Sequence, residues 1–267
     1  MLPDRLIICR PIGMKLSRWL VLNISRLLGR LLSLLGAYVF YFLQFPALLF
    51  RRQKLASHLL SLCARQFLNC LGIRVKVRSD FDWNVSGEGY VHIYNHESPL
   101  DVFVIQGYLK LPSITTAGSH LGLILPFFDI AARNAGHVLL DHMSSDSRRK
   151  SFSMSFDVMS DYGQMIIAPN GSLVTSIYQR ASRSAQVLAK RFSTSIAPWV
   201  FTYDGLGLSR EDMYNPLSIV LKRIVAPPAC ITCTLCRKDL EAIPVDLPKN
   251  SFEPAVIGFY ESRRKQC

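Results

Sequence analysis

One short run of the sequence combines residue types that can move a proton. Residues 95–101 read NHESPLD, which places the imidazole of His96 five positions before the carboxylate of Asp101. Histidine titrates closest to neutral pH among the side chains, and a carboxylate at this spacing can fold back to the ring across one helical turn. The run therefore predicts an oriented base: Asp101 fixes the imidazole tautomer, and His96 takes a proton from an incoming hydroxyl.

The same spacing also allows a purely structural interpretation. His96 can cap a helix, and Asp101 can be a first-turn acid that the helix dipole favours. Histidines and acids are both common near helix starts, so the spacing by itself leaves the two interpretations open.

The elements around this run predict where it lies. Residues 90–94 are aromatic or β-branched at most positions and predict a strand. Pro99 suits the first turn of a helix, with Ser98 or Asn95 as its cap. The run is thus a strand-to-helix turn, which is where α/β proteins carry reactive groups.

Strands alternate with helices along the rest of the chain. Hydrophobic periodicity predicts helices at residues 53–72, 148–161 and 180–192, and strands at residues 73–77, 136–140, 164–168, 195–202 and 229–235. This alternation predicts an α/β fold with a mixed, mostly parallel sheet flanked by helices.

The first 52 residues have the composition of a membrane anchor. Residues 31–50 contain no charge, over about one bilayer thickness, and residues 14–30 are apolar but basic, as in an interfacial helix. We expect a pair of membrane-associated helices in residues 1–52, bent or ended at Gly36 and Pro46, and a catalytic domain in residues 53–267. The competing interpretation, a cleaved signal peptide, is disfavoured by the basic residues that close the apolar run.

Charge and cysteine content indicate the partners and the compartment. The formal net charge is +12, and residues 1–54 hold nine Lys or Arg against the single acid Asp4. These cations flank an apolar stretch and lack the aromatic-interleaved face of nucleic-acid binders, so membrane lipids are the expected partner and nucleic acid is not. Seven cysteines, an odd number, predict a reducing compartment, so we expect the active site on the cytoplasmic face of a membrane.

Two patterns have the spacing of metal sites. Cys230, Cys233 and Cys236 match part of an iron–sulfur ligand run, but the fourth cysteine is missing and strand alternation turns Cys233 away from the other two. His92 and His96 are four apart, the spacing of zinc ligands on a helix, but they lie in or beside a strand. We therefore expect no metal and no cofactor.

The run NHESPLD resembles the first motif, Asn-His-x-x-x-x-Asp, of the glycerolipid acyltransferase family, which includes 1-acylglycerol-3-phosphate acyltransferases. The family's other segments follow in order: LGIRVKV at residues 71–77 is similar to its Gly-Ile-x-Val-x-Val strand, GHVLLDH at 136–142 to its second motif, APNGSLV at 168–174 to its third and IAPWV at 196–200 to its fourth. The resemblance covers about residues 53–245 and implies that His96 and Asp101 are catalytic.

The second and third motifs differ from the family pattern at their charged positions. His142 stands where the family has Arg, Asn170 where it has Glu, and Leu173 where it has Arg. In the family these residues help to hold a phosphate-bearing acceptor, and planar Arg donors are the natural partners of phosphate. The candidate substrate-binding residues are Asn95, Ser98, Pro169, Asn170, Gly171 and Ser172, and the candidate replacement cations are Arg133, Arg148, Arg149, Arg180 and Arg183.

The resemblance implies an enzyme that moves a fatty-acyl group from acyl-CoA or acyl carrier protein to the hydroxyl of a lysophospholipid. The expected acceptor is 1-acylglycerol-3-phosphate, which would give phosphatidic acid. Asn170 and Ser172 could instead hydrogen-bond an aminolipid or glycolipid head group, which makes another lyso-lipid the alternative acceptor. A catalytically silent relative that only binds lipids is the competing non-enzymatic hypothesis.

Overall fold

The computed structural model describes residues 16–50, 52–83, 89–116, 126–140, 145–169, 181–207, 212 and 216–264. Its helices are α1 (Leu16–Leu49), α2 (Gln53–Cys70), α3 (Asp101–Val104), α4 (Phe128–Asn134), α5 (Ser145–Tyr162), α6 (Ser184–Phe192), α7 (Pro216–Val225) and α8 (Lys249–Arg264), with a π-helical turn, Ile105–Leu109, directly after α3. Its strands are β1 (Ile73–Ser79), β2 (Tyr90–Tyr94), β3 (Ile114–Thr116), β4 (Val138–Leu140), β5 (Gln164–Ile167), β6 (Ser195–Asp204) and β7 (Ala229–Leu235).

Five strands form one mixed sheet in the order β1-β7-β6-β2-β5. The pairs β1/β7, β6/β2 and β2/β5 are parallel, and β6/β7 is antiparallel. The short parallel pair β3/β4 joins this sheet through a bridge between Ser113 and Ile166. The predicted α/β fold with a mixed, mostly parallel sheet is confirmed.

Helices cover the sheet from both sides, each with its own hydrophobic cluster. On one face α1 to α4 pack with residues such as Phe67, Phe201 and Ile231, and on the other α5, α6 and α8 pack with residues such as Met165 and Phe252. Strand β2 is buried at all five positions because it lies inside the sheet and under both helical layers. Strand β7 instead alternates buried and half-buried residues, so its outer face is less covered.

The expected pair of N-terminal helices is one continuous helix in the structure. Residues 14–30 and 31–50 were predicted as separate helices, but α1 runs without interruption from Leu16 to Leu49. Gly36 packs beside the Gln66 side chain on α2 without breaking the helix. Pro46 removes one helical hydrogen bond, but it lies in the last turn, and the helix ends three residues later at Leu49. The partner of α1 is therefore α2, with Ala37, Tyr41 and Ala47 buried on this helix.

Several boundaries follow the sequence prediction and others extend past it. Strands β2 and β7 match their predicted limits, and α2 ends just before Gly72, whose φ of +67° supplies the predicted stop. Strand β6 continues to Asp204 because its second half pairs with β7. The segment between β1 and β2, where Ser86 to Gly89 predict a turn, lies mostly outside the described residues.

Candidate active site

The turn after β2 is held in place by Asn95. Its side-chain Oδ1 accepts a hydrogen bond from the Phe201 N–H at 2.6 Å, and its Nδ2 donates to the Phe201 carbonyl at 2.7 Å. The amide thus continues the pairing of β2 with β6 one position beyond the end of the strand. The predicted contact of Asn95 with substrate stays a prediction, and its visible contacts position the turn.

Ser98 shapes the start of α3 from inside the protein. Its Oγ accepts the Leu100 N–H at 3.2 Å, and its carbonyl accepts the Asp101 N–H at 3.1 Å. The side chain is buried and bonds the residue just before α3, whose N-cap position is Leu100, so neither Ser98 nor Asn95 is the predicted side-chain cap. Its predicted role toward substrate also stays a prediction.

His96 and Asp101 meet across this turn. The His96 Nδ1 lies 2.9 Å from the Asp101 Oδ2, which also accepts the Ser98 N–H at 3.2 Å. Asp101 is 0% exposed, whereas the His96 side chain is 19% exposed. Because Nδ1 is bonded to the carboxylate, Nε2 is the ring nitrogen that remains for an incoming hydroxyl.

Tyr203 completes the shell around Asp101. Its hydroxyl donates to the second carboxylate oxygen, Oδ1, at 2.8 Å. Burial first, and then the negative charge of Asp101, raise the pKa of the Tyr203 hydroxyl well above its ordinary value, so it remains a donor. Sequence reasoning missed this residue, because Tyr203 is remote in sequence and belongs to no motif; only the pairing order of β6 brings it to the turn.

Buried side chains surround His96 and Asp101 on the side that faces the protein interior. The Tyr94 ring packs against the His96 ring with centroids 5.5 Å apart, and burial together with Asp101 raises the pKa of both Tyr94 and Cys233. A buried carboxylate with three donors, behind a partly exposed imidazole, is the arrangement expected of a base that must accept and then return a proton.

A cavity of about 550 Å³ opens beside the turn. It reaches Asn95 and Glu97, the residues on either side of His96, and crosses the outer face of β6, β7 and β1 as far as Lys76. Its other charged lining residues are Asp204 and Arg263. The catalytic turn is therefore bordered by a polar space large enough for a head group.

The comparisons with known proteins agree with this geometry. A family model described as Acyltransferase matches residues 74–202, which include the whole turn and Tyr94 to Asp101. Residues 74–202 of this chain therefore form an acyltransferase domain of that family. Among curated proteins, none matches it significantly in sequence.

A solved structure has the fold of this acyltransferase. The 1-acyl-sn-glycerophosphate (LPA) acyltransferase PlsC from Thermotoga maritima superposes with a TM-score of 0.56 at 14% sequence identity, and the match covers 91% of this chain and 96% of that chain. At this identity the likeness establishes the architecture. The family match and the His96–Asp101 geometry together make the chain an O-acyltransferase.

The third motif of this acyltransferase begins at the same sheet edge as His96. Strands β2 and β5 run parallel, with Ile93 opposite Ile167, so the residues after β5 lie beside the turn after β2. Pro169 is buried there, and its carbonyl accepts the Ser182 N–H. Asn170, Gly171 and Ser172 lie outside the described residues, as does His142 of the second motif.

The candidate replacement cations are spread over three helices. Arg133 on α4 and Arg149 on α5 are exposed, and the Arg183 Nε donates to the Gln186 Oε1 at 3.1 Å at the start of α6. The Arg148 side chain and all of Arg180 lie outside the described part of the chain. None of the three described arginines lines the cavity beside the turn, where Lys76 and Arg263 are the cations.

The two metal-like patterns have ordinary packing roles. Cys233 is buried while Cys230 and Cys236 are half-buried, as strand alternation predicts. The His92 Nδ1 accepts the Trp199 indole N–H at 3.0 Å deep in the core, away from the His96 ring's open side. Within the described ranges, no group of three or more His, Cys, Asp or Glu is arranged to hold a metal ion.

Proposed function

We propose that this acyltransferase moves a fatty-acyl group from a thioester donor, acyl-CoA or acyl carrier protein, to the free hydroxyl of 1-acylglycerol-3-phosphate, with phosphatidic acid as product and no cofactor. The observation that carries the proposal is the 2.9 Å contact between the His96 Nδ1 and the buried Asp101 carboxylate. That contact orients the opposite ring nitrogen toward the open side of the turn.

The reaction follows from this orientation. The acceptor oxygen attacks the thioester carbonyl carbon as its proton passes to the His96 Nε2, and Asp101 stabilises the imidazolium that forms. The tetrahedral intermediate then collapses, the carbon–sulfur bond breaks, and the leaving thiolate takes the proton back from Nε2. The histidine ends as it began, so one base serves both halves of the transfer.

The charges beside the turn support a phosphate-bearing acceptor and also define a second candidate. Lys76 and Arg263 line the cavity as potential partners of a phosphate, and the Arg263 guanidinium also bonds Asp239. Glu97 and Asp204 line the same cavity and would attract an ammonium group. This mixture, together with Asn170 in the third motif, makes a lysophospholipid with an amino head group the second candidate acceptor.

We further propose that α1 attaches the enzyme to the membrane where its substrates reside. Residues 21–49 form an apolar stretch with a mean hydropathy of 1.7, long enough to cross a bilayer by length and composition. One side of its second half is buried against α2, whereas residues such as Leu32, Leu35 and Phe42 are exposed. A helix held to the domain along one side favours an in-plane position. The odd number of cysteines supports a reducing environment, and so the cytoplasmic face, for the active site.

An acceptor panel tests the proposal. Purified full-length chain in detergent would be given acyl-CoA or acyl carrier protein together with lysophosphatidic acid, lysophosphatidylethanolamine or a monoacylated glycolipid, and new ester would be measured by mass. We expect the fastest turnover with lysophosphatidic acid, and a rate about 10²–10⁴-fold lower in His96→Ala. Turnover only with lysophosphatidylethanolamine would favour the amino lipid as the acceptor. Absence of turnover with every donor and acceptor would favour a catalytically silent protein that only binds lipids.

Two cavity variants separate the candidate acceptors. If a phosphate monoester occupies the cavity, Lys76→Ala should raise its KM about ten-fold, because a charge-assisted hydrogen bond is lost, while Glu97→Gln should have little effect. If the head group carries an ammonium, the two substitutions should exchange their effects. If each substitution changes the KM of all acceptors equally, the cavity does not select the head group.

A further inference from the structure

Helix α7 presents an uncovered apolar stripe. Leu217, Leu221 and Val225 are four residues apart and 60%, 61% and 45% exposed, respectively. The opposite side of the helix is buried through Ile219 and Arg223. A surface helix normally carries polar residues along its outer side, so three aligned aliphatic residues indicate a contact that the isolated chain does not make.

The C-terminal end of α7 is fixed to the middle of α1. The Arg30 Nη1 donates to the carbonyls of Arg223 at 3.0 Å and Ile224 at 2.7 Å. Leu31 and Val225 directly follow Arg30 and Ile224, and both are exposed. Each helix therefore has an exposed aliphatic residue directly after the point where the two helices are joined.

The charges of these two helices are all of one sign. Together α1 and α7 contain Arg18, Arg26, Arg30, Lys222 and Arg223 and no Asp or Glu. Arg26 is exposed, and Lys222 is 55% exposed and pairs with Asp212 at 2.6 Å, whereas Arg30 and Arg223 are buried and bonded to backbone carbonyls. An anionic lipid surface complements apolar helices that carry such cations.

We propose that α7 is a second membrane contact, which lies on an anionic phospholipid surface beside α1. The proposal rests on the membrane attachment through α1 that is part of the proposed function. One helix alone would let the domain rotate about its axis. A second helix, joined to α1 at Arg30, fixes that rotation and with it the direction in which the catalytic turn faces the lipid.

Vesicle flotation of the full-length chain tests the contact. Vesicles of phosphatidylcholine mixed with phosphatidylglycerol would be compared with pure phosphatidylcholine. Replacing Leu217 and Leu221 together by Ser should weaken binding on the order of ten-fold or more, since two aliphatic side chains no longer leave water. Val187→Ser, 39% exposed on α6 at the other face of the sheet, is the matched control and should bind like the unmodified chain.

Three outcomes would overturn the proposal. The first is a double variant that floats as well as the unmodified chain. The second is a double variant that has a smaller molar mass than the unmodified chain by light scattering without lipid. That result would mean that the stripe is an interface between two copies of this chain. The third is no vesicle binding by the unmodified chain. Turnover on dispersed short-chain substrates is measured separately, so its absence in all variants would defeat the acyl-transfer proposal and leave the flotation result standing.

Discussion

Asp101 is the residue on which the polar contacts of the site converge. Its carboxylate accepts hydrogen bonds from the His96 ring, the Ser98 N–H and the Tyr203 hydroxyl, and it has no access to solvent. Three donors compensate the cost of burying a carboxylate, which would otherwise be high. The carboxylate is thus held as a fixed negative charge behind the imidazole.

Removing the base should abolish most of the rate without unfolding the protein. We expect His96→Ala to lower acyl transfer by about 10²–10⁴-fold, the usual contribution of a general base, and Asp101→Asn to impair it by disturbing the ring tautomer. Single-turnover assays measure the rate, and thermal unfolding checks the fold, which His96→Ala should leave intact because the ring is partly exposed. Full activity in His96→Ala would exclude the proposed mechanism.

Tyr203→Phe should change the pH dependence of the reaction. Without the hydroxyl, Asp101 keeps more of its charge for the imidazolium, so the acidic limb of the pH–rate profile should move to higher pH. The value of kcat should fall about ten-fold, because the carboxylate that orients His96 is then held by two donors instead of three. A purely structural role would lower the unfolding temperature and leave the profile where it was. Tyr94→Phe, a second buried tyrosine beside His96, is the control.

At the scale of elements, the site depends on strand ends that meet at one edge. The catalytic turn follows β2, and the third motif follows the parallel neighbour β5. Strand β6 runs past the end of β2, which brings Phe201 to Asn95 and Tyr203 to Asp101. The sheet order therefore assembles three segments that are far apart in sequence.

The junction of α1, α2 and α7 can be tested at Gly72. This residue has φ +67°, and a Cβ there would lie 2.1 Å from the Arg30 Nη2. Gly72→Ala should lower the free energy of unfolding by about 1–3 kcal/mol, through backbone strain and displacement of the arginine. Urea unfolding measures the change.

Gly258→Ala is the matched control for this prediction. Gly258 lies inside α8 with ordinary helical backbone, and a Cβ there would meet nothing within 4 Å. The substitution should raise the free energy of unfolding by about 0.5–1 kcal/mol, since alanine loses less conformational freedom in a helix. Equal effects of the two substitutions would contradict the role assigned to Gly72.

At the scale of the whole molecule, two buried histidines couple stability to pH. Burial lowers the pKa of both His92 and His137 to about 4 from an ordinary value of 6.5. The His137 Nδ1 accepts from the Ser113 Oγ at 2.7 Å, and its Nε2 contacts the Gln106 Oε1 at 2.5 Å. Both rings are neutral, and each forms hydrogen bonds that connect different segments of the fold.

Acid should therefore destabilise the fold before carboxylates are protonated. Below about pH 6.5, His92 and His137 are protonated in the unfolded chain but stay neutral in the folded chain. The free energy of unfolding therefore falls by about 1.4 kcal/mol per pH unit for each histidine, down to about pH 4. His137→Gln should remove one such contribution from the slope. Urea unfolding across this range checks it, with exposed His58→Gln as control, and an unchanged slope in His137→Gln would contradict the assignment.

Local residue patterns are sufficient to predict the catalytic turn, the fold class and most elements. His96 and Asp101 are close in sequence, so local geometry brings them together. Strands β2 and β7 can be predicted because their residue types match a buried strand and an alternating strand, respectively. The family resemblance rested on the same local motifs. Gly72 ended α2 as its backbone freedom predicts.

Only the tertiary structure decided which distant residues serve that turn. Tyr203 is 102 residues from Asp101, and Arg30 is 193 residues from Arg223, so no local pattern connects either pair. The same holds for α1, whose basic first half predicts a separate helix, whereas both halves form one continuous helix in the structure. Contacts between remote segments depend on the order of strands in the sheet and on which helix faces are covered, and neither is encoded by any one segment alone.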